Sequence, residues 1–176
     1  MHIFFSISLL FICSFINNIY SQDFESSLSS NYYLIRHAEK NRTIDSDRNP
    51  HLSDFGILRS KNWARVLENV KFDKIYSTNF FRTIETAKPL VDANNLEIIF
   101  YTHNEIDYNK FLEDNSGKNI LIVGHSNTIP FIVNSLIGLN KYDLIDDHNN
   151  SNLYIVTIGS NGNISDKLLN IAIDSY

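Results

Sequence analysis

The segment NILIV, at Asn119–Val123, identifies the kind of fold to expect. A continuous apolar run of this length, rich in β-branched residues, is typical of a strand buried on both faces of a parallel sheet. The polar residues GHS at 124–126 follow it, and a helical pattern then runs from Thr128 to Ile137, where Gly138 ends it. A buried strand that leads directly into a helix predicts an α/β protein.

The same alternation of strand and helix patterns extends through the rest of the chain. It predicts a three-layer α/β/α sandwich with a mainly parallel central sheet. Ile57, Trp63 and Leu67 have helical spacing, so they should form one buried helix face. The other predicted strands are Tyr32–Ile35, Lys74–Tyr76, Glu97–Phe100, Asn152–Ile158 and Ile164–Ala172. Three other helices are predicted. The first runs from Asp54 to about Asn69, with Ser53 or Asp54 as its cap. The second runs from a cap at Thr78 or Asn79 to about Ala93, and the third covers Asn104–Asp114.

Length and charge limit the classes of function. The 176 residues carry a net charge of −5, and no run of five Lys or Arg residues occurs. We therefore expect one domain, at residues 31–176, that does not bind nucleic acid.

The first 22 residues predict export. They contain no Lys, Arg, Asp or Glu, and Ile3 to Ile16 is a mostly apolar run of 14 residues. This run is shorter than the roughly 20 residues of a membrane-spanning helix, and it suits a secretory signal peptide cleaved after Ser21. Cys13, the only cysteine, would leave with the leader. We expect a periplasmic or secreted protein without stable membrane association, in which the polar residues 23–30 form a tether.

Charged and titratable residues follow three of the predicted strands. Arg36 and His37 end the first strand, Ser77 and Arg82 follow the second, and His125 follows NILIV. Ligands of parallel α/β sheets bind at the carboxyl ends of the strands, so these side chains should face one crevice. Guanidinium groups match phosphate oxygens, helix N-termini near Thr78 and Ser126 add N–H donors, and an imidazole can attack phosphorus.

Three motifs at these junctions resemble one known family. RHAEK at Arg36–Lys40, YSTNFFRTIETA at Tyr76–Ala87 and VGHSNT at Val123–Thr128 are similar to the motifs of the histidine phosphatase superfamily, in its phosphoglycerate mutase-like branch and small phosphatase form. The resemblance covers roughly residues 31–170, including HLSDFG at His51–Gly56. It implies a phosphoglycerate mutase-like fold and no metal or organic cofactor.

The resemblance also implies a role for each matching residue. His37 would be the nucleophile, and Arg36, Arg82 and His125 would hold the phosphoryl group, with Ser126 among the phosphate-binding residues. Glu39 and Lys40 are expected to be salt-bridged or solvated rather than catalytic.

The general acid is expected between the second and third motifs. Glu105 and Asp107 are the candidates there, and we favour Glu105. Small relatives often carry Tyr-Asp-Pro near this point, whereas this chain has Tyr-Thr-His at 101–103.

The predicted activity is metal-independent hydrolysis of a phosphomonoester, carried by a small molecule or a phosphoprotein. A phosphoglycerate mutase-type phosphotransferase and a non-catalytic phosphate-binding module remain as alternatives. This chain has no PCxxC motif, which argues against a zinc deaminase. Its GHSNT at 124–128 has no final glycine, which argues against the nucleophile elbow of a serine hydrolase. The substrate and the oligomeric state are left open.

Overall fold

The structure, a computed structural model, describes residues 29–173. The predicted leader, Cys13 and nearly all of the predicted tether lie outside the described residues. No helix among the described residues has the length and apolar character needed to span a bilayer.

Strands and helices alternate along the described chain. The strands are β1 (Ser30–Arg36), β2 (Lys74–Ser77), β3 (Ile98–Phe100), β4 (Asn119–Gly124), β5 (Asn152–Ile158) and β6 (Ile164–Asn170). The helices are α1 (Asp54–Val66), α2 (Phe81–Asn94), α3 (Tyr108–Asp114) and α4 (Thr128–Ile137), with a 3-10 turn at His103–Glu105. The predicted strands are all present, and the predicted bounds of α4 are those observed.

All six strands form one mixed sheet in the order β3-β2-β4-β1-β5-β6. The four strands β3, β2, β4 and β1 are parallel, and β5 and β6 add an antiparallel hairpin at the edge. In the central pair, Arg36 of β1 is the partner of Gly124 of β4. This register places the residues that follow the two strands side by side.

The sheet has a hydrophobic core on each face, which makes the predicted three layers. Leu34 and Ile122 face α3 and α4, and their neighbours Ile35 and Val123 face α1 and α2. All four side chains are at most 2% exposed. Full burial of each such side chain stabilises the fold by roughly 1.5–3 kcal/mol, so the central strands need an apolar residue at every position.

Helix α1 begins at the predicted cap, but its buried face differs from the prediction. The Ser53 hydroxyl accepts a hydrogen bond from the backbone N–H of Gly56. Ile57 is 43% exposed, whereas Arg59 is only 7% exposed. Arg59 is buried because its guanidinium forms an ion pair, 2.7 Å long, with Glu39. Glu39 is therefore salt-bridged, as expected, but its partner is Arg59 rather than Lys40.

Two other helix starts also differ from the predictions. Phe80, rather than Thr78 or Asn79, is the N-cap of α2, and it makes no side-chain capping bond. The Thr78 hydroxyl is unavailable because it bonds to Thr83 and to the ring of His125. The predicted helix at residues 104–114 is broken, because Asp107 caps α3 by accepting hydrogen bonds from the N–H groups of residues 109 and 110.

Candidate active site

The ends of β1 and β4 bring two histidines together. The backbone N–H of His37 donates to the carbonyl of Gly124 over 2.8 Å, which extends the parallel pairing by one residue. His125 follows Gly124, and the two imidazole rings have centroids 5.5 Å apart. Ser77, at the end of β2, is fully buried and donates to the carbonyl of Thr78, so it does not join this pair.

Arg82 completes the group from the first turn of α2. Its guanidinium carbon lies 4.5 Å from the ring centroid of Phe80. Its positive charge lowers the pKa of both His37 and His125, as expected of a cation close to both rings. Within residues 29–173, its buried Nε and Nη1 atoms have no hydrogen-bond partner. Arg82 therefore presents two N–H donors to an oxyanion near the two histidines.

The hydrogen bonds of His37 fix its tautomer. Its Nδ1 atom lies 2.7 Å from the carbonyl oxygen of Ala38, which can only accept, so Nδ1 carries the proton. The lone pair of the neutral ring is then on Nε2. The Ala38 N–H donates to Thr86 of α2, and Asn150 donates to the His37 carbonyl, both over 2.8 Å. These bonds hold the peptide groups on both sides of the ring.

His125 is held by hydroxyl groups rather than by a carbonyl. Its Nε2 lies 2.9 Å from Thr78 Oγ1, and its backbone N–H donates to Thr128 Oγ1 over 2.9 Å. The Thr83 hydroxyl donates to backbone carbonyls, so it accepts the proton of the Thr78 hydroxyl. Nε2 of His125 must then donate to Thr78, which leaves Nδ1 of the neutral ring as an acceptor.

Both histidines are uncharged near neutral pH. Burial, together with the charges of Arg36, His125 and Arg82, lowers the pKa of His37 to about 3, against the raising effect of the Ala38 carbonyl. Burial and the charges of Arg82 and Arg36 lower the pKa of His125 to about 4. A neutral imidazole is the form that can act as a nucleophile.

Most of the Arg36 guanidinium binds a loop of the protein. Nη1 donates to the carbonyls of Asp146 and Asn149, at 2.8 and 3.1 Å, and Nη2 binds the Asp147 carboxylate at 2.6 Å. Nε is buried and has no partner in the described part of the chain. From the sequence we expected Arg36 to hold phosphate. In the structure, Nε is the Arg36 atom that remains free to donate a hydrogen bond to phosphate.

Sequence reasoning missed the contribution of residues 147–150. Asp147 bridges two guanidinium groups, Arg36 at 2.6 Å and Arg42 at 2.7 Å, and these bonds lower its pKa to about 2. With Asn150 and His148, it lines a cavity of about 110 Å³ that also includes His37. These residues lie more than 100 positions from His37, so no local motif indicates them.

Glu105 and Asp107, the candidate general acids, do not line the cavity that contains His37. Glu105 is exposed in the 3-10 turn at His103–Glu105. Asp107 caps α3. The carboxylates that do line the cavity are Glu39 and Asp147. The role of Glu105 as proton donor stays a prediction.

Ser126 is half-buried at the start of α4. The helix has Asn127 at its N-cap, and the Ser126 carbonyl accepts from the N–H of Ile145 over 3.0 Å. Its predicted contact with phosphate stays a prediction. Among residues 29–173, no three His, Cys, Asp or Glu side chains form a group that could hold a metal ion.

Comparisons with known proteins give one consistent family. The family model of the histidine phosphatase superfamily (branch 1) matches residues 32–112. The chain is 35% identical over 98 residues to the mitochondrial serine/threonine-protein phosphatase Pgam5 of Drosophila mojavensis, covering 53% of this chain and 30% of that protein. It is 27% identical over 127 residues to the phosphohistidine phosphatase SixA homolog of Haemophilus influenzae, covering 61% of this chain and 77% of that protein.

A solved structure shows the same fold. The protein histidine phosphatase SixA, complexed with tungstate, matches with a TM-score of 0.64 at 17% identity, over 80% of this chain and 96% of that chain. This match confirms the predicted α/β architecture. The chain spans less than a third of the length of the Pgam5 proteins that it matches.

Proposed function

We propose that this chain, whose residues 32–112 match the histidine phosphatase superfamily, is a phosphomonoester hydrolase acting through a phosphohistidine on His37. The state of His37 supports this most directly. Its Nδ1–H is bound to the Ala38 carbonyl, so the lone pair is on Nε2 of a neutral, buried ring. Within residues 29–173, buried N–H groups of Arg82 and Arg36 have no hydrogen-bond partner, so they are the candidate oxyanion donors for the transferring group.

The proposed reaction has two steps. Nε2 of His37 forms a bond to phosphorus while the ester P–O bond breaks, and the leaving oxygen takes a proton. The N–H groups of Arg82 and Arg36 stabilise the charge on the phosphoryl oxygens. His125 joins them by turning its Nε2–H from Thr78 Oγ1 to a phosphoryl oxygen. Water then forms a new P–O bond as the N–P bond breaks, and it gives one proton back to the group that protonated the leaving oxygen. This releases inorganic phosphate and restores His37 and the proton donor.

The exposed rings beside Arg82 support a substrate whose leaving group extends to the surface. Phe80 and Phe81 are exposed at the Arg82 turn, and the Arg82 guanidinium carbon lies 4.5 Å from the ring centroid of Phe80. The proposed substrate is a phosphorylated small molecule or a phosphorylated protein side chain. The names of the Pgam5 and SixA relatives, both phosphatases of proteins or phosphohistidine, support the second class.

An activated aryl phosphate tests the proposal, because its leaving group barely needs a proton donor. The wild type should hydrolyse it, His37→Ala should lose at least a thousandfold in kcat, and His51→Ala should be unaffected. His51 is the matched control because it is exposed and stacks on Phe81 outside the cavity.

Trapping the intermediate separates the mechanisms. Phosphohistidine is acid-labile and base-stable, so label from the substrate should survive an alkaline quench and disappear in acid. Acid-stable label would overturn the role of His37. A wild type that is inert but binds phosphate would favour the binding-module alternative.

Glu105 is proposed as the proton donor to the leaving group. Asp147 is unsuited to donation because Arg36 and Arg42 hold its pKa at about 2. Glu105→Gln should lower kcat on alkyl phosphates about a hundredfold, and much less on the aryl phosphate. Asp107→Asn is the comparison, since it changes only the cap of α3. Equal losses on both substrates for Glu105→Gln would remove Glu105 from this step.

A further inference from the structure

Lys40 is a cation beside the active site that has no carboxylate partner within residues 29–173. It lies three residues after His37, half-buried, where its backbone pairs with Leu52. The ion pairs of the described chain do not include it. It lines the same cavity as His37, which places it beside the histidine pair. A half-buried ammonium without a partner favours binding of an anion.

The cavity that Lys40 lines has an excess of positive charge. Its other charged walls are Arg42, Asp147 and Glu39. Asp147 is already neutralised by two guanidinium groups, Arg36 and Arg42. Glu39 is already paired with Arg59 at 2.7 Å. Two guanidinium groups face the single carboxylate of Asp147, so one of their positive charges is not compensated. The positive charge of Lys40 is not compensated either, although the net charge of the protein is −5.

The cavity adjoins the phosphoryl site without being the same as it. The unpaired donors for the phosphoryl group are the buried atoms Nε and Nη1 of Arg82 and Nε of Arg36. Arg82 is not part of the cavity wall, whereas His37, Lys40 and Arg42 are. The volume of about 110 Å³ is enough for several water molecules, or for a carboxylate with its solvent.

We propose that Lys40 and Arg42 form a second anion-binding subsite, which accepts a negatively charged group on the leaving part of the substrate. This inference rests on the proposed function of His37. The substrate class is then a phosphomonoester with a second anionic group, such as a carboxylate or another phosphate. The subsite gives specificity, since a neutral leaving group would leave Lys40 unpaired.

Binding of two phosphonates tests the subsite without any turnover. The probes are 3-phosphonopropionate and 3-phosphonopropanamide, in which a neutral amide replaces the carboxylate. Titration calorimetry measures their binding to the full chain. The wild type should bind the acid about tenfold more tightly than the amide, as expected of one half-buried charged contact. Lys40→Gln should reduce this ratio to near one, and Arg42→Gln should reduce it by a smaller amount. Lys61→Gln, on the exposed side of α1, should keep the wild-type ratio.

Turnover distinguishes failure of the subsite from failure of the proposed function. The substrates are 3-carboxyphenyl phosphate and 3-carbamoylphenyl phosphate, and kcat/KM should favour the acid in the wild type and not in Lys40→Gln. Acid-selective binding without hydrolysis of either ester would support the subsite and overturn the proposed hydrolase. Hydrolysis of both esters with no acid preference, or an unchanged preference in Lys40→Gln, would overturn the subsite alone. No binding of either phosphonate would also overturn it.

Discussion

The two active-site histidines should make the protein sensitive to acid. Their pKa values in the folded state, about 3 for His37 and about 4 for His125, lie below the ordinary value of 6.5. The folded state therefore binds protons more weakly than the unfolded state does. Stability is complete above pH 6.5 and decreases as the pH falls toward these two values, because protons drive the chain toward the unfolded state.

The size of this effect follows from the shifts. At pH 5, each histidine should have removed about 2 kcal/mol of the free energy of unfolding measured at pH 8, so the two together remove about 4 kcal/mol. The carboxylate of Asp147 adds almost nothing in this range, since its ordinary pKa of 3.8 and its folded pKa of about 2 both lie below pH 5. A loss of this size is a large fraction of the total stability of a typical domain.

Urea unfolding at intervals between pH 8 and pH 5 measures this loss. His37→Gln removes one of the two titrating groups, so its stability should fall by only about 2 kcal/mol over the same range. Ser60→Ala, which removes a buried hydroxyl on α1, should lower stability equally at every pH. Equal pH dependence of the wild type and His37→Gln would show that burial does not keep His37 neutral, and would refute the reasoning.

Three other substitutions test how the site is supported. Thr86→Val removes the acceptor of the buried Ala38 N–H, so urea unfolding should show a loss of about 1–3 kcal/mol and kcat should fall. Thr157→Val, at the far end of the sheet, is the control and should keep kcat. Glu39→Gln leaves the buried Arg59 charge uncompensated and should cost about 3 kcal/mol by urea unfolding, so an unchanged midpoint would contradict this role. Gly56→Ala would place a Cβ atom 2.1 Å from a backbone oxygen of Glu39, and a thermal melt should show severe destabilisation; a wild-type melting temperature would contradict that close approach.

Local patterns predicted the fold well because each one reflects burial on a defined face. The run NILIV indicated a strand covered on both sides, and the structure places it at the centre of the sheet, between β2 and β1. The predictions failed where a polar side chain had a distant partner. The hydroxyl of Thr78 is engaged by His125, 47 positions later, so it cannot cap α2.

The candidate site could be predicted in part for the same reason. Arg36, His37 and His125 end two parallel strands, and strand ends of a parallel sheet meet at one edge. Arg82 followed from the position of its helix after β2. The contacts of the loop at 146–150 could not be predicted, because Asp147 reaches Arg36 across 111 positions and no periodicity marks it.

The sequence by itself determined the layers of the fold, the strand ends and the residues placed there, since these depend on the order of apolar and polar residues. The tertiary structure decided the chemical state of those residues. Burial keeps the imidazoles of His37 and His125 neutral, the Ala38 carbonyl sets the reactive nitrogen of His37, and Asp147 occupies most of Arg36. These effects depend on distances between segments remote in sequence, because desolvation and hydrogen bonding act only across a few ångströms.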